Sequence, residues 1–333
     1  MFLLILAFIL SIALMFVIAR YFLPLLKRLK FDQPIHELAL ETQKAKQGTP
    51  TMGGLMFAAV ASVLSIVFSA IYGFSVSTLI LVFFSLLSLL IGFIDDFTKV
   101  KNNHNLGLKW WQKLIAQIVI GYFFSLYCYV TPEIGSSILI PFTNLEWDLG
   151  VWYLPVMTLV IMFIINSANL QDGMDGLLSS VSIIGSIAWA VIAMFFYMTQ
   201  TAASHTESFG ILCFSLVLAG SLIAYLRYNF HPAKVFMGDT GSMFIGAAMV
   251  GIAMLLRQPL LLVLITFTMI MSSVSVIIQR TYYKLTKGKR IFKMSPIHYH
   301  FEKSGMNEPQ IVAMYAAVES VLCILAVLSL PWI

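Results

Sequence analysis

Five aspartates stand out in this 333-residue chain because each lies where a strongly apolar stretch ends: Asp95, Asp96, Asp172, Asp175 and Asp239. Counting the apolar stretches places all five on the same predicted side of a membrane. Carboxylates are costly to hold near hydrocarbon, and several that converge on one face indicate a site for a divalent cation and phosphates. The sequence therefore predicts chemistry on an anion at a membrane surface.

The first pair of acids ends the third apolar stretch, LIGFIDDFTKV, where a helix is predicted to meet the cytoplasm. Neighbouring residues of a helix point about 100° apart, so Asp95 and Asp96 are expected to have different tasks. One could hold a metal ion while the other works as a base or nucleophile. A solvated helix end is the alternative, although acids at a helix C-terminus oppose the macrodipole without a compensating cation.

The second group of acids lies in NSANLQDGMDGL, which supplies Asn169, Asp172 and Asp175 with two glycines. Side-chain oxygens spaced by three residues, beside backbone freed by glycine, suit magnesium or a sugar-phosphate. A polar loop in which Asp175 caps the next helix would look similar.

The third group lies in RYNFHPAKVFMGDTGSMFIG, where Asn229 precedes Asp239 by ten residues. The free amides of a helix N-terminus, with the hydroxyls of Thr240 and Ser242, are typical of a phosphate-binding site. Asp239 would repel a bare phosphate, so we expect it to bind the cation that bridges to the phosphate. An ordinary aspartate cap with a glycine turn is the alternative.

Two further segments offer polar groups. His298 and His300 follow a basic run and are predicted to face the same way in an extended stretch, where they could bind phosphate. Zinc is a poor alternative because no cysteine accompanies them. Near the start of the chain, Lys46 and Thr51 lie in KAKQGTPTMGG, a loop that would also suit a simple junction into a helix.

The elements that position these residues are membrane helices. The chain is 60% hydrophobic, only 11% charged, and has a mean hydropathy of +0.92, values that exclude a soluble protein of this size. We predict a single all-α polytopic membrane domain over residues 1–333. Its ten spans are predicted near 2–26, 52–73, 76–95, 113–131, 151–169, 177–198, 208–227, 242–257, 259–280 and 311–332.

Basic residues orient these spans. They fall in the first, third, seventh and ninth loops, and Arg257 alone falls in an even-numbered loop, which predicts cytoplasmic odd-numbered loops and both termini outside. The division of the basic residues among loops tied to the membrane argues against nucleic acid as a partner. A small hairpin is predicted on the outer face, with its turn around Thr143 and Asn144.

Taken together, the motifs GTPTMGG, IGFIDDFTK, NLQDGMDGL, YNFHPAKVFMGDTGS and KRIFKMSPIHYHFEKSG resemble those of the polyprenyl-phosphate N-acetylhexosamine-1-phosphate transferases. Their order over nearly the whole chain is similar to that of the phospho-N-acetylmuramoyl-pentapeptide transferase family. That resemblance implies a bacterial inner-membrane enzyme with a cytoplasmic active site. Such an enzyme moves phospho-MurNAc-pentapeptide from UDP to undecaprenyl phosphate with Mg²⁺, giving lipid I and UMP in peptidoglycan biosynthesis. It also implies a homodimer.

The resemblance implies roles for matching residues. Catalysis would fall to Asp95, Asp96, Asp239 and His298, and Mg²⁺ would be held by Asp239 and Asp96. Substrate placement would involve Lys46, Thr51, Lys113, Asn169, Asp172, Asp175, Asn229 and His300. Either lysine of KWWQK, Lys109 or Lys113, could match the phosphate-facing lysine of the family, so the alignment of Lys113 is ambiguous. The chain departs from the family at Tyr299, where a histidine is usual, and at Gln171 and Met174.

Several alternatives remain open on the sequence. A sister transferase that uses UDP-GlcNAc would share most motifs. A transporter of phosphate-bearing solutes would also have about ten spans, but transport sites lie near the bilayer midplane between repeated halves, whereas these polar residues gather at helix ends. For the transferase, direct attack by the lipid phosphate and a covalent aspartyl intermediate are both possible mechanisms.

Overall fold

The computed structural model describes residues 1–28, 46, 48–102, 107–143, 145–199 and 202–330, with the side chains of 202–204 excepted. Its α-helices are α1 (Phe2–Arg28), α2 (Gly54–Tyr72), α3 (Val76–Asn102), α4 (Trp110–Val130), α5 (Tyr153–Gln171), α6 (Leu177–Thr199), α7 (Ala202–Asn229), α8 (Gly238–Leu255), α9 (Leu262–Ile265), α10 (Phe267–Leu285), α11 (Ile297–Glu302) and α12 (Glu308–Leu328). Short 3-10 turns at Gly150–Trp152 and Pro259–Leu261 precede α5 and α9.

The helices confirm an all-α polytopic membrane protein. Among the described residues, nine helices are long and apolar enough to span a membrane, and a bent pair raises the number to ten. In a bilayer the helix satisfies its own backbone hydrogen bonds, which explains why each apolar stretch of about 20 residues adopts this structure.

The third span is longer than predicted. Helix α3 continues past Asp95 and Asp96 to Asn102, so the two acids do not end the helix. The apolar stretch ends at this pair, but a helix can continue into polar sequence. Lys99 and Lys101 lie in the last turn, where their positive charges interact favourably with the helix dipole. The two acids therefore lie on a regular helix wall.

The ninth span is bent rather than straight. The segments 259–265 and 267–285 meet at 83° around Thr266. Each piece buries an apolar face, so the hydropathy pattern alone gave no sign of the break.

The predicted hairpin is present. Strands β1 (Ser137–Leu139) and β2 (Glu146–Asp148) pair antiparallel, with Ile138 opposite Trp147; Thr143 lies in the turn and Asn144 lies outside the described residues. The Leu139 N–H donates to Arg257 O at the end of α8, and Phe142 N–H donates to Ser329 O after α12. The hairpin thus covers the end of the bundle opposite to the acids.

Helix α8 forms the centre of the bundle. Every residue from Gly238 to Leu255 is buried except Asp239 in its first turn. A central helix with one polar residue at its tip places that residue at the floor of whatever site the surrounding helices form.

Candidate active site

A close helix crossing brings the first and third acid groups together. A Cβ on Gly92 of α3 would lie 2.2 Å from Asp239 O, a separation that only glycine permits. Asp95 and Asp96 follow Gly92 by three and four residues, so all three lie on one helix face. Carboxylate oxygens of Asp95, Asp96 and Asp239 consequently lie within 4.8 Å of one another.

Two lysines lie among these carboxylates. Lys99 Nζ is 2.6 Å from Asp95 Oδ2, 3.0 Å from Asp239 Oδ2 and 3.7 Å from Asp96 Oδ1. Lys113 Nζ is 2.7 Å from Asp239 Oδ2 and 4.0 Å from Asp95 Oδ2. Three carboxylates with two ammonium groups form one compact ionic cluster, which we call the carboxylate–lysine cluster.

The start of α8 does not form the predicted phosphate-binding site. The Thr240 N–H and hydroxyl both donate to Asp96 Oδ2, at 2.9 and 2.7 Å. The Ser242 hydroxyl donates to Gly238 O at 3.1 Å and accepts from Asn169 Nδ2 at 3.0 Å. These donors orient carboxylates and amides, so lysines are left as the groups that can meet a phosphate.

Asn169 joins the fifth span to the cluster. Its Nδ2 also donates to Asp239 Oδ1 at 2.7 Å. Asp239 therefore has one oxygen fixed by an amide and the other facing both lysines.

The first loop is tied to the start of α8 by backbone hydrogen bonds. Gly53 N–H donates to Phe236 O, and Phe236 N–H donates to Pro50 O, both at 2.8 Å. A Cβ on Gly238, whose φ is +71°, would lie 2.4 Å from Asp96 Oδ2 and 2.7 Å from Thr51 Oγ1. This glycine therefore lets buried Thr51 approach the cluster.

Asp172 lies between the carboxylate–lysine cluster and Asp175. Enclosure by the protein, followed by the charges of Asp239 and Asp96, raises its pKa well above the usual aspartate value. The side chain retains some exposed surface, and the described residues donate no hydrogen bond to its carboxylate. Among the acids of the site, Asp172 is thus the one whose carboxylate accepts no hydrogen bond from the described residues, which leaves it available to a substrate.

In Asp175, by contrast, both carboxylate oxygens contact groups of the protein. Lys46 Nζ lies 2.7 Å from its Oδ1, while its Oδ2 accepts from Ala233 N–H at 2.9 Å and lies 3.2 Å from His231 Nδ1. Lys46 also lies 2.7 Å from both carboxylate oxygens of Glu308. These side chains form a second ionic group, the Lys46–Asp175–Glu308 group.

The last motif is helical, which contradicts the predicted extended stretch. On α11, His298 and His300 are two residues apart and point to different sides. His298 is fully buried, no hydrogen bond reaches either ring nitrogen from the described residues, and burial lowers its pKa to about 3. It is therefore neutral at pH 7 and offers hydrogen bonding rather than charge.

His300 is turned away from both ionic groups. Its Nδ1 accepts from Lys293 N–H at 3.1 Å, and its ring packs edge-on against Phe292. The neighbouring Tyr299 instead reaches the second motif, where its hydroxyl donates to Gly173 O at 2.9 Å. A Cβ on Gly173 would lie 2.6 Å from His298 Nε2, so α11 packs directly on the Asp172–Asp175 loop.

Asn229 has a structural environment. Its Oδ1 accepts from the Ser179 hydroxyl at 2.7 Å and its Nδ2 donates to Val235 O at 3.0 Å. Both ends of the amide hold the 229–235 turn, which carries His231.

The oxygen donors of the carboxylate–lysine cluster fit a hard divalent cation such as Mg²⁺. The nearest ammonium to Asp96 Oδ1 is Lys99, at 3.7 Å, and Asp239 is the partly exposed acid of the three. Asp175, His231 and Glu308 also lie close enough to share an ion, but the Lys46 ammonium already lies between the two carboxylates.

Sequence reasoning missed Lys99, Glu308 and His231. Lys99 had a usable signal, since it follows Asp96 by three residues and Asp95 by four on one helix. The other two had none, because their partners lie 133 and 56 positions away along the chain.

Comparison with known proteins places the chain among membrane transferases. Residues 78–257 match the family described as glycosyl transferase family 4, and residues 46–57 match phospho-N-acetylmuramoyl-pentapeptide-transferase signature 1. The signature covers Lys46 and Thr51, and the family match covers both aspartate pairs and Asp239.

Curated relatives match over almost the full length. The Clostridium novyi protein named phospho-N-acetylmuramoyl-pentapeptide-transferase is 38% identical to this chain, over 92% of this chain and 91% of the relative. The corresponding protein of Halalkalibacterium halodurans is 39% identical over 99% and 98%. That of Caldicellulosiruptor bescii is 40% identical over 97% and 96%.

Proposed function

The chain belongs to the phospho-N-acetylmuramoyl-pentapeptide-transferase family, and from this premise we propose that it transfers phospho-MurNAc-pentapeptide from UDP to undecaprenyl phosphate. The products are lipid I and UMP, and the reaction belongs to peptidoglycan biosynthesis. The acceptor is a membrane lipid, which accounts for a site at helix ends rather than in a soluble domain.

The carboxylate–lysine cluster is the observation that carries this proposal. Lys99 and Lys113 lie within 3.0 Å of Asp239, and ammonium groups are suited to the negative charge that accumulates on phosphates during transfer. The surrounding carboxylates hold both lysines in place before substrate arrives. A site that only bound phosphate would not need three acids in contact with its lysines.

We assign the nucleotide-sugar to the side of the cluster formed by Asp172, Asn169 and Lys46. Asp172 has a carboxylate open to substrate, and neutral His298 adjoins the same loop. Thr51 lies beside Asp96 on the other side. Asn229 and His300 are assigned indirect roles, because both ends of the Asn229 amide and the Nδ1 of His300 already have partners within the protein.

Mg²⁺ is the proposed cofactor, held by Asp239 and Asp96. When bound, it would offset the charge on the pyrophosphate and on the departing UMP. Asn169 orients Asp239 through Oδ1, and Thr240 orients Asp96 through Oδ2. Lys99 is 3.7 Å from the other oxygen of Asp96, whereas the other oxygen of Asp239 contacts both lysines and would exchange them for the ion.

We propose direct attack by the lipid phosphate. A phosphate oxygen of undecaprenyl phosphate bonds to the β-phosphorus of the UDP-sugar, and the bond from that phosphorus to the bridging oxygen breaks to release UMP. The glycosidic bond stays intact. Asp95, with Oδ2 facing both lysines, is assigned to remove any proton on the acceptor phosphate; a covalent aspartyl intermediate is the alternative.

The site is proposed to face the cytoplasm of the bacterial inner membrane. Lys46, Lys99, Lys101 and Lys113 lie at the same end of the bundle as the acids, opposite the hairpin, and basic residues favour the cytoplasmic side. The family resemblance supports a homodimer of single-domain protomers.

A substrate panel tests the proposal. Purified protein in detergent would receive Mg²⁺, undecaprenyl phosphate and either UDP-MurNAc-pentapeptide or UDP-GlcNAc, with UMP and lipid product measured. We expect UMP and a lipid-linked product with UDP-MurNAc-pentapeptide only.

The other outcomes are equally informative. Preference for UDP-GlcNAc would assign the chain to a sister transferase. No UMP with either nucleotide-sugar would refute enzymatic transfer and favour transport.

A further inference from the structure

We propose that Glu308, the first residue of α12, is a positioning residue for nucleotide-sugar binding. It holds Lys46 and the Asp172–Asp175 loop in the arrangement that the substrate meets. The inference rests on the proposed function, and it adds the last membrane helix to a site that sequence motifs placed in earlier segments.

Glu308 bridges two segments far from it in the chain. Lys46, 262 positions away, places Nζ 2.7 Å from both carboxylate oxygens, and Asp175 N–H donates to Oε2 at 3.1 Å. The Glu308 side chain is only 4% exposed. A buried carboxylate is retained only when such partners compensate its desolvation.

Helix capping does not account for these contacts. The preceding residue, Asn307, already caps α12: its side chain accepts from Gln310 N–H, and the Asn307 N–H donates to Gln310 Oε1. An acid in the first turn favours the helix dipole, but that effect needs no particular partner. Glu308 instead directs its carboxylate to a lysine and to a backbone amide of the second motif.

Asp175 and Glu308 both contact Lys46, but they differ in what else they hold in place. Lys46 has one ammonium group between Asp175 and Glu308, while the half-exposed His231 ring lies 3.2 Å from the first acid and 3.7 Å from the second. Asp175 alone could bind Lys46, but it would not fix its own loop to α12. Glu308 does both, because one carboxylate reaches Lys46 and the Asp175 N–H together.

Initial-rate kinetics with both substrates test this role in Glu308→Gln. We expect the KM for UDP-MurNAc-pentapeptide to rise about tenfold, the loss typical of a charge-assisted hydrogen bond. We expect kcat and the KM for undecaprenyl phosphate to change less than about twofold, since the carboxylate–lysine cluster is untouched. Glu308→Asp keeps the charge and should give an intermediate KM, and it serves as the test variant if the glutamine variant does not fold.

Glu319→Gln is the matched control. It makes the same change in the same helix, where Glu319 accepts from Thr268 N–H at 3.2 Å inside the membrane span. Eleven residues of helix separate it from Glu308, which corresponds to about 16 Å. Its kinetics should match those of the unchanged protein.

A double-mutant cycle separates positioning from general stability. Because part of the effect of Glu308 passes through Lys46, Lys46→Met combined with Glu308→Gln should raise the nucleotide-sugar KM by clearly less than the product of the two single-variant increases. Additive effects, an unchanged KM, or equal effects on both substrates would overturn the inference. Failure of the unchanged protein to release UMP would instead refute the proposed function, so the two failures are distinguishable.

Discussion

Lys99 shows how the role of a residue depends on contacts that a motif does not reveal: it ends the motif IGFIDDFTK, yet only the structure shows that its ammonium group contacts three aspartates. The sequence identified Asp95, Asp96 and Asp239 from their positions at the ends of apolar stretches, and the structure brings all three together. The sequence named Lys113 as a candidate for substrate placement but could not show that this lysine contacts Asp239, 126 positions away. Asp172 and Asp175 looked equivalent in sequence, but only Asp175 has its carboxylate satisfied by protein groups.

Asp239 should be indispensable for turnover. Asp239→Asn keeps the shape of the side chain but removes the charge that faces both lysines, so we expect kcat to fall at least about 10²-fold. The measurement is UMP release at saturating substrates, with elution as a single detergent-solubilised species showing that the fold is retained.

Glu133→Gln provides the control at this scale. Glu133 is an exposed carboxylate between α4 and the hairpin, at the end of the bundle opposite the site. Its replacement should leave kcat unchanged. Turnover of Asp239→Asn within twofold of the unchanged protein would remove Asp239 from the reaction.

At the scale of elements, the crossing of α3 and α8 fixes the site. An alanine Cβ at Gly92 would lie 2.2 Å from Asp239 O and 2.5 Å from Asp239 C, so the helices would have to separate by about an ångström. A displacement of that size costs about 10²-fold in rate, and the strain costs about 1–3 kcal/mol of stability. Gly92→Ala should therefore lower both kcat and Tm.

Gly121→Ala is the comparison for that change. Gly121 lies within α4, and its added Cβ would lie 3.2 Å from Ile161 Cγ2, so a shift of a few tenths of an ångström would accommodate it. This variant should have nearly unchanged kcat. If Gly92→Ala shows the same kcat as Gly121→Ala, the crossing does not control the geometry of the acids.

Elements also show where sequence reasoning succeeds and where it fails. Apolar stretches predicted the spans because length and hydropathy decide membrane insertion. They misplaced the end of α3 because helix propensity continues through FTKVKN after apolarity ends. The extended reading of the last motif was wrong because Ile297–Glu302 forms a short helix after Pro296, a segment too short for its periodicity to be recognised.

At the scale of the whole molecule, the bundle separates a polar end from a hairpin-covered end. All five motif segments contribute to the polar end, in chain order through Lys46, Asp96, Asp175, Asp239 and His298. Membership in the family accounts for the combination of a membrane-spanning body with a phosphate-handling site. A nucleotide-sugar from solution and a lipid phosphate from the bilayer can meet at such a boundary.

The fate of the β-phosphate tests the central claim most directly. UDP-MurNAc-pentapeptide labelled with ³²P at the β-phosphate would be incubated with the protein, Mg²⁺ and undecaprenyl phosphate, followed by separation of organic and aqueous phases. Transfer of the phosphosugar predicts that the label enters the organic phase with MurNAc and that the aqueous product is unlabelled UMP. Labelled UDP in the aqueous phase, with MurNAc alone on the lipid, would show glycosyl transfer and contradict the account.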